Sequence, residues 1–227
     1  VIEGQHGTLR INADGSYSYE AKPNTGGQSE SFEFVITDGD GDKASATIEV
    51  NISAAVGPDP SAVGAVEVNE VGLVDNANNS HIAEVRVEGF QIVGGGSGAY
   101  GQIHEKDGHW VYELNQVFKH EGSGRDTASG ADKVKITVQD AHGNTFEVEV
   151  AVDIVDDVPT ISVGDALDVK SGTEAVATGH LEYDFGADGK GSLTVNGQEF
   201  TVPTEGNPTV IEGQHGTLRI NADGSYS

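Results

Sequence analysis

Residues 30–52 read Glu30-Ser31-Phe32-Glu33-Phe34-Val35-Ile36-Thr37-Asp38-Gly39-Asp40-Gly41-Asp42-Lys43-Ala44-Ser45-Ala46-Thr47-Ile48-Glu49-Val50-Asn51-Ile52. Apolar residues fall on every second position on both sides of an Asp/Gly run. A period of two is that of a half-buried strand, whose successive side chains point to opposite faces. The Asp/Gly run between the two stretches supplies a turn. The stretch therefore predicts two antiparallel strands. The same alternation recurs at 8–11, 16–19, 84–87, 110–114, 133–138, 145–154, 181–185, 192–195 and 199–202. Asp14-Gly15, Asp107-Gly108, Asp188-Gly189 and Asn196-Gly197 punctuate these runs, and Asn-Gly between two alternating runs predicts a tight hairpin. No segment carries a convincing helical period. The expected class is all-β, built of tandem immunoglobulin-like antiparallel β-sandwich domains.

The deciding stretch is itself repeated. Phe34-Val35-Ile36-Thr37-Asp38-Gly39-Asp40-Gly41-Asp42 aligns with Ile136-Thr137-Val138-Gln139-Asp140-Ala141-His142-Gly143-Asn144 at an offset of 102 (139 against 37), and Val50 and Ile52 fall on Val152 and Ile154. Asp14-Gly15-Ser16-Tyr17-Ser18-Tyr19 matches Asp107-Gly108-His109-Trp110-Val111-Tyr112. A longer repeat is unchanged: VIEGQHGTLRINADGSYS stands at 1–18 and again at 210–227. Identity over so long a stretch points to a tandem array, of which this chain holds one period and the start of the next. Proline marks the joints at Gly57-Pro58-Asp59-Pro60 and Asp156-Asp157-Val158-Pro159, because it stiffens a linker and ends strand pairing. The expected division is residues 1–57 as the C-terminal part of a split sandwich, 58–157 as a complete sandwich, and 158–227 as the N-terminal part of the next split copy. The two parts should complement each other.

Composition narrows function. The 227 residues carry 12 Lys and Arg against 37 Asp and Glu, a formal charge of −25. That sign excludes nucleic acid and anionic membrane surfaces as partners, since both need clustered Lys and Arg. No apolar run is long enough for a membrane helix. Cys is absent, which removes thiolate chemistry and disulfides. An extracellular chain without disulfides needs another staple, and Ca²⁺ bound by the many carboxylates would serve. Tyr17, Tyr19, Trp110 and Tyr112 alternate as packing residues do, and Trp110 is expected to be buried. The run Gly94-Gly95-Gly96-Ser97-Gly98 reads as a flexible loop. The eight His residues form no ligand-spaced cluster and no nucleophile motif is present, so an enzyme and a small-molecule substrate are not expected.

The candidate metal ligands are all carboxylates or amides at turns and joints. Asp38, Asp40 and Asp42 alternate with glycine, so carboxylates can converge while the backbone curls, as a site of six to eight oxygens requires. A plain acidic hairpin turn is the other reading. Asp140 and Asn144 sit in the eroded copy of that turn. Asp156 and Asp157 are adjacent carboxylates at a joint, where they could hold Ca²⁺ with loops of the following domain or form a solvated hinge. Asp59 occupies the other joint. Asp153 is expected to point out from its strand, and Asp165, Asp184 and Asp188 are loop acids with no evident partner.

GTLRINADGSYSYEA at 7–21, ESFEFVITDGDGDKASATIEVNI at 30–52, the Asp156-Asp157-Val158-Pro159 joint and GHLEYDFGADG at 179–189 resemble the repeats of giant bacterial RTX adhesins. The resemblance covers nearly the whole split domain. The middle domain shares the strand and turn pattern but departs at the Asp/Gly turn. It implies an immunoglobulin-like extender with Ca²⁺ at its joints, exported by type I secretion to the cell surface in biofilm formation, whose partners are the neighbouring repeats. The expected work is that of a calcium-stiffened spacer. A sugar-, peptide- or ice-binding module and a homotypic cell–cell adhesion module remain alternatives.

Overall fold

The computed structural model describes residues 1–75, 78–122, 124–172 and 176–227. Strands form in each alternating run except 84–87, where only Glu84 belongs to a strand and Val87 makes an isolated bridge to Val63. The N-terminal unit holds β1 (Ile2–Glu3), β2 (Gly7–Ile11), β3 (Tyr17–Ala21), β4 (Ser29–Thr37) and β5 (Lys43–Asn51). The middle unit holds β6 (Val66–Asn69), a one-turn helix α1 (Val71–Val74), β7 (Ile82–Glu84), β8 (Gln91–Gly94), β9 (Gly96–Ser97), β10 (Gly101–Lys106), β11 (His109–Leu114), β12 (Thr127–Gln139) and β13 (Thr145–Val155). The third unit holds β14 (Thr160–Val163), β15 (Gly179–Asp184), β16 (Leu193–Val195), β17 (Gln198–Phe200), β18 (Thr209–Glu212), β19 (Thr217–Ile220) and β20 (Ser225–Tyr226).

The middle unit is a sandwich of two four-stranded sheets, in the orders β7-β11-β10-β9 and β6-β13-β12-β8. Period two explains its core. Val134, Ile136 and Val138 of β12 and Val150, Val152 and Ile154 of β13 point inward and are buried. Lys133 and Lys135 point outward to Glu149 and Glu147. β6 lies parallel to β13, with Val66 opposite Val152 and Val68 opposite Ile154, so all four enter one core. The β10–β11 hairpin turns on Asp107-Gly108, both at positive φ (52° and 80°), as a two-residue turn demands.

The flanking units are more open. The first has the sheet β1-β2-β3 and the separate hairpin β4-β5; the third has the sheet β14-β15-β20-β19-β18 and the hairpin β16-β17, which turns on Asn196-Gly197 as expected. Among the described residues, the strands of each unit pair only with strands of the same unit.

Three details depart from the sequence reading. A one-turn helix and a 3-10 turn (Pro60–Ala62) occur where none was expected. Trp110 is half-buried: it lies at the sandwich rim, where its ring sits over the bare backbone of Gly95. The glycine run is largely strand: Gly94 ends β8 and Gly96 and Ser97 form β9, with Gly95 between them. It carries the chain from β8 in one sheet to β9 in the other, and Cβ atoms on Gly95 and Gly96 would fall 2.0 Å from the Ile103 carbonyl and 2.2 Å from the Lys135 carbonyl. Only glycine allows that approach.

Candidate metal centre

Topology gathers four segments at one end of the central sandwich. β6 and β13 are parallel and finish together, and β12 starts opposite the last residue of β13. Glu70 follows β6, Asp156 and Asp157 follow β13, Asp126 precedes β12, and His120 lies on the β11–β12 connection. The Glu70 amide donates to the Val155 carbonyl (3.1 Å), and the Asp156 amide donates to the Asp126 carbonyl (2.9 Å). Backbone bonds thus fix where these side chains start.

The side chains leave ligand atoms without partners. Glu70 is completely buried, and Asp156 and Asp157 are 5% and 7% exposed. Glu70 Oε1 accepts the Phe118 amide at 2.6 Å, but Oε2 is buried with no hydrogen bond, as is Asp156 Oδ1. His120 Nδ1 lies 3.0 Å from Asp126 Oδ1; its buried Nε2 faces Glu70 Oε2 at 3.3 Å without hydrogen-bond geometry. Ligand atoms of Glu70, His120 and Asp156 lie within 4.8 Å of one another, and so do those of Asp156, Asp157 and Asp188. Two Ca²⁺–oxygen bonds of ~2.3–2.6 Å span about that distance. Burial pushes the Glu70 carboxyl above the usual range despite the Phe118 amide and His120. Burial likewise raises Asp156, and the neighbouring carboxylates Asp188, Asp157 and Asp126 add like charge. A buried, uncompensated carboxylate costs several kcal/mol. Buried carboxylates with orphaned oxygens and ligand atoms within 4.8 Å of one another fit a divalent cation, with Asp156 common to the two groups.

Asp157 carries the site across the joint. Its Oδ2 accepts the Ala187 amide at 2.8 Å, from the β15–β16 connection of the third unit. Asp184 Oδ1 accepts the Gly186 amide (2.9 Å) and shapes that connection. Gly186 has φ 75°, and a Cβ there would stand 2.5 Å from Asp157 Oδ2. The turn must therefore be glycine for Asp157 and Asp188 to approach the centre.

The remaining expected ligands are elsewhere. Asp38, Asp40 and Asp42 are exposed at the β4–β5 turn, with ligand atoms within 4.8 Å of one another. Asp38 Oδ1 already accepts the amides of Asp40 (3.3 Å), Gly41 (3.0 Å) and Asp42 (2.8 Å). Hydrogen bonding, first with the Asp40 side chain, holds the Asp38 carboxyl below its usual range. Asp140 repeats the turn role, accepting the amides of His142 (2.9 Å) and Asn144 (2.8 Å). Asn144 gives its side-chain amide to Asp140 Oδ2 (2.8 Å), and its Oδ1 accepts the Asn24 amide (2.8 Å); Asn24 Oδ1 in turn accepts the Thr145 amide (2.7 Å). That exchange links the first unit to the sandwich. Asp59 caps the 3-10 turn through the Ser61 amide (2.9 Å), and Asp153 accepts the Gly130 amide (2.7 Å). Of the residues gathered here, the sequence reading named Asp156 and Asp157 as candidate ligands and Asp188 as a loop acid without a partner, and did not single out Glu70, His120 or Asp126. The only local signal for Glu70 is that it follows the alternating run Val66-Glu67-Val68-Asn69, which looks the same as a solvated strand end.

Residues 1–51 match the bacterial Ig domain family. No curated protein matches the chain. A solved structure of PcdhgB3 EC1-4 is 17% identical over the whole of this chain, with a TM-score of 0.23. The chain spans 57% of that structure's length. No helix among the described residues is long and apolar enough to cross a membrane. The strands and the central sandwich make this an all-β chain of immunoglobulin-like sandwich architecture, and its first 51 residues match a bacterial Ig domain family.

Proposed function

We propose that the chain is a calcium-stiffened spacer of an RTX-type bacterial surface adhesin, holding a distal binding region away from the cell. One observation carries the reading: Glu70 Oε2 and Asp156 Oδ1 are buried without hydrogen bonds, on side chains whose ligand atoms lie within 4.8 Å of one another, at a joint that Asp157 crosses. A bound Ca²⁺ supplies charge neutralisation and oxygen coordination there. Glu70, Asp156, Asp157 and Asp188 would hold it. His120, a poor ligand for a hard cation, would orient Glu70 and be held in turn by Asp126. Bridging carboxylates from two units favours one relative orientation of those units, which is what a spacer needs. The Asp38, Asp40 and Asp42 turn is a second, exposed set of oxygens of the same chemistry. The RTX assignment rests on the sequence resemblance of 7–21, 30–52 and 179–189. Surface display suits the charge, because self-repulsion keeps such chains soluble and apart.

Calorimetric Ca²⁺ titration of the whole chain tests the centre. Extracellular modules bind at ~10⁻⁴–10⁻³ M, and that range is expected here. Asp156→Asn should remove one binding event. Unchanged stoichiometry in this variant would sink the assignment.

A further inference from the structure

Calcium leaves one buried atom of the centre without a use. The His120 side chain is 3% exposed, and its ring packs edge-on against Phe118, with centroids 5.0 Å apart and planes at 78°. His120 Nδ1 lies 3.0 Å from Asp126 Oδ1. A carboxylate accepts, so Nδ1 is the donor and Nε2 keeps its lone pair. That lone pair faces Glu70 Oε2, itself an orphaned acceptor, at 3.3 Å with no hydrogen bond between them. Asp156 Oδ1 is a third orphan. Each of the three side chains thus carries one buried atom without a hydrogen bond, and ligand atoms of the three lie within 4.8 Å of one another.

A different part of the sandwich end fixes each of them. Glu70 follows β6, Asp156 follows β13, and His120 lies on the β11–β12 connection, whose Phe118 amide also holds Glu70 Oε1 at 2.6 Å. The set is two carboxylates and one imidazole, and a further carboxylate, Asp126, holds that imidazole from behind. Such a hydrogen bond fixes the ring and raises the basicity of the nitrogen that meets a metal. An imidazole nitrogen suits zinc and its first-row neighbours, whereas calcium takes oxygen. Zinc bonds to nitrogen and oxygen run ~2.0–2.2 Å, so two ligands of one tetrahedral ion stand about 3.4 Å apart. The 3.3 Å between His120 Nε2 and Glu70 Oε2 matches that edge. The second group, Asp156, Asp157 and Asp188, offers oxygen only.

The other place where histidines meet a carboxylate does not make such a set. His81 and His104 flank Glu113 of β11, with Nε2 atoms 3.9 and 3.2 Å from its carboxylate oxygens. Lys106 Nζ stands 3.3 Å from Glu113 Oε1 and already neutralises it. The buried nitrogens without partners there are the two Nδ1 atoms, not the Nε2 atoms that face Glu113.

We propose that Glu70, His120 and Asp156 form a site of their own for a divalent transition metal, with zinc as its probe, and that calcium is confined to the oxygen group of Asp156, Asp157 and Asp188. The proposal rests on the calcium reading for that outer group alone, and it transfers Glu70 to the inner ion. Three protein ligands leave a fourth position for water. The inner ion ties the ends of β6 and β13 to the β11–β12 connection, all within the central sandwich. The outer ion reaches the third unit through Asp157. One stiffens a domain and the other a joint.

Zinc titrated calorimetrically into the whole chain in saturating Ca²⁺ tests the site. The unsubstituted chain should show a binding event that His120→Gln and Asp126→Ala each weaken by roughly 10–100-fold. Asp126→Asn, whose amide oxygen can still accept from Nδ1, should lose less. His104→Gln should leave the event unchanged. Asp157→Asn combined with Asp188→Asn should abolish calcium binding and keep the zinc event. Should His120→Gln fail to fold, Asp126→Ala, at a half-exposed side chain, carries the same test. No zinc event in the unsubstituted chain, one equally strong in His120→Gln or Asp126→Ala, or one lost with Asp157 and Asp188 would overturn the proposal. A chain that binds zinc through His120 but no calcium would sink the calcium reading and leave this site standing.

Discussion

Asp132 is 2% exposed, yet five donors surround its carboxylate: the amides of Ala99 (2.8 Å), Tyr100 (3.0 Å), Gly101 (3.1 Å) and Lys133 (2.8 Å), and the Tyr112 hydroxyl (2.7 Å). Burial alone would raise this carboxyl, but the Tyr112 hydroxyl and the amides outweigh it and hold it below the usual range. Asp132→Ala leaves those donors buried and unpaired, and should cost about 2–4 kcal/mol, read as the urea midpoint at constant slope. The pH dependence follows from the sign. A folded-state value below the unfolded one gives stability that is fully present above about pH 4 and is lost as pH falls through the folded-state value. Urea midpoints measured downward from pH 5 should fall less steeply in Asp132→Asn than in the unsubstituted chain. Asp156 is the contrasting case, a buried carboxylate with an orphaned oxygen. Asp156→Asn should be neutral or stabilising in chelator, because it removes an uncompensated charge. It should also forfeit the roughly 1–3 kcal/mol that 10 mM Ca²⁺ adds at the expected affinity. Equal Ca²⁺-induced stabilisation of both proteins would contradict the ligand role.

At the scale of elements, β4, β5, β12 and β13 were legible because one face is apolar and the other wet, which is what period two records. The Asp107-Gly108 and Asn196-Gly197 hairpins were legible because only such pairs take two positive φ angles cheaply. β6 and β8 were not, since each has four residues and offers too few alternations. The glycine run was misread because close backbone approach leaves no trace beyond the glycines themselves. The candidate centre was half legible. Asp156 and Asp157 adjoin a proline joint, but Glu70 and His120 reach them only through the parallel pairing of β6 with β13, a tertiary fact. The β15–β16 connection gives a test of that assembly. Gly186→Ala forces a left-handed φ on alanine and drives its Cβ into Asp157 Oδ2. It should weaken Ca²⁺ binding while the thermal transition of the central sandwich in chelator stays within about 2 °C of the unsubstituted protein. Unaltered Ca²⁺ affinity would show that Asp157 does not need this turn.

On the scale of the whole molecule, a chain of formal charge −25 has its acids both spread over its surface and gathered at joints. The spread charge repels; the gathered charge calls for a cation. Without one, Asp156, Asp157 and Asp188 repel across the link that Asp157 makes to Ala187, and the third unit should swing on that link. With one, the same carboxylates should hold the units together, and the chain should behave as a rod segment, as the proposed function requires. Small-angle X-ray scattering of the whole chain, at concentrations low enough to keep it monomeric, measures this directly. Calcium should give a sharply bounded distance distribution with a fixed maximum dimension, and excess chelator should broaden it. Superimposable curves with and without calcium would contradict the account.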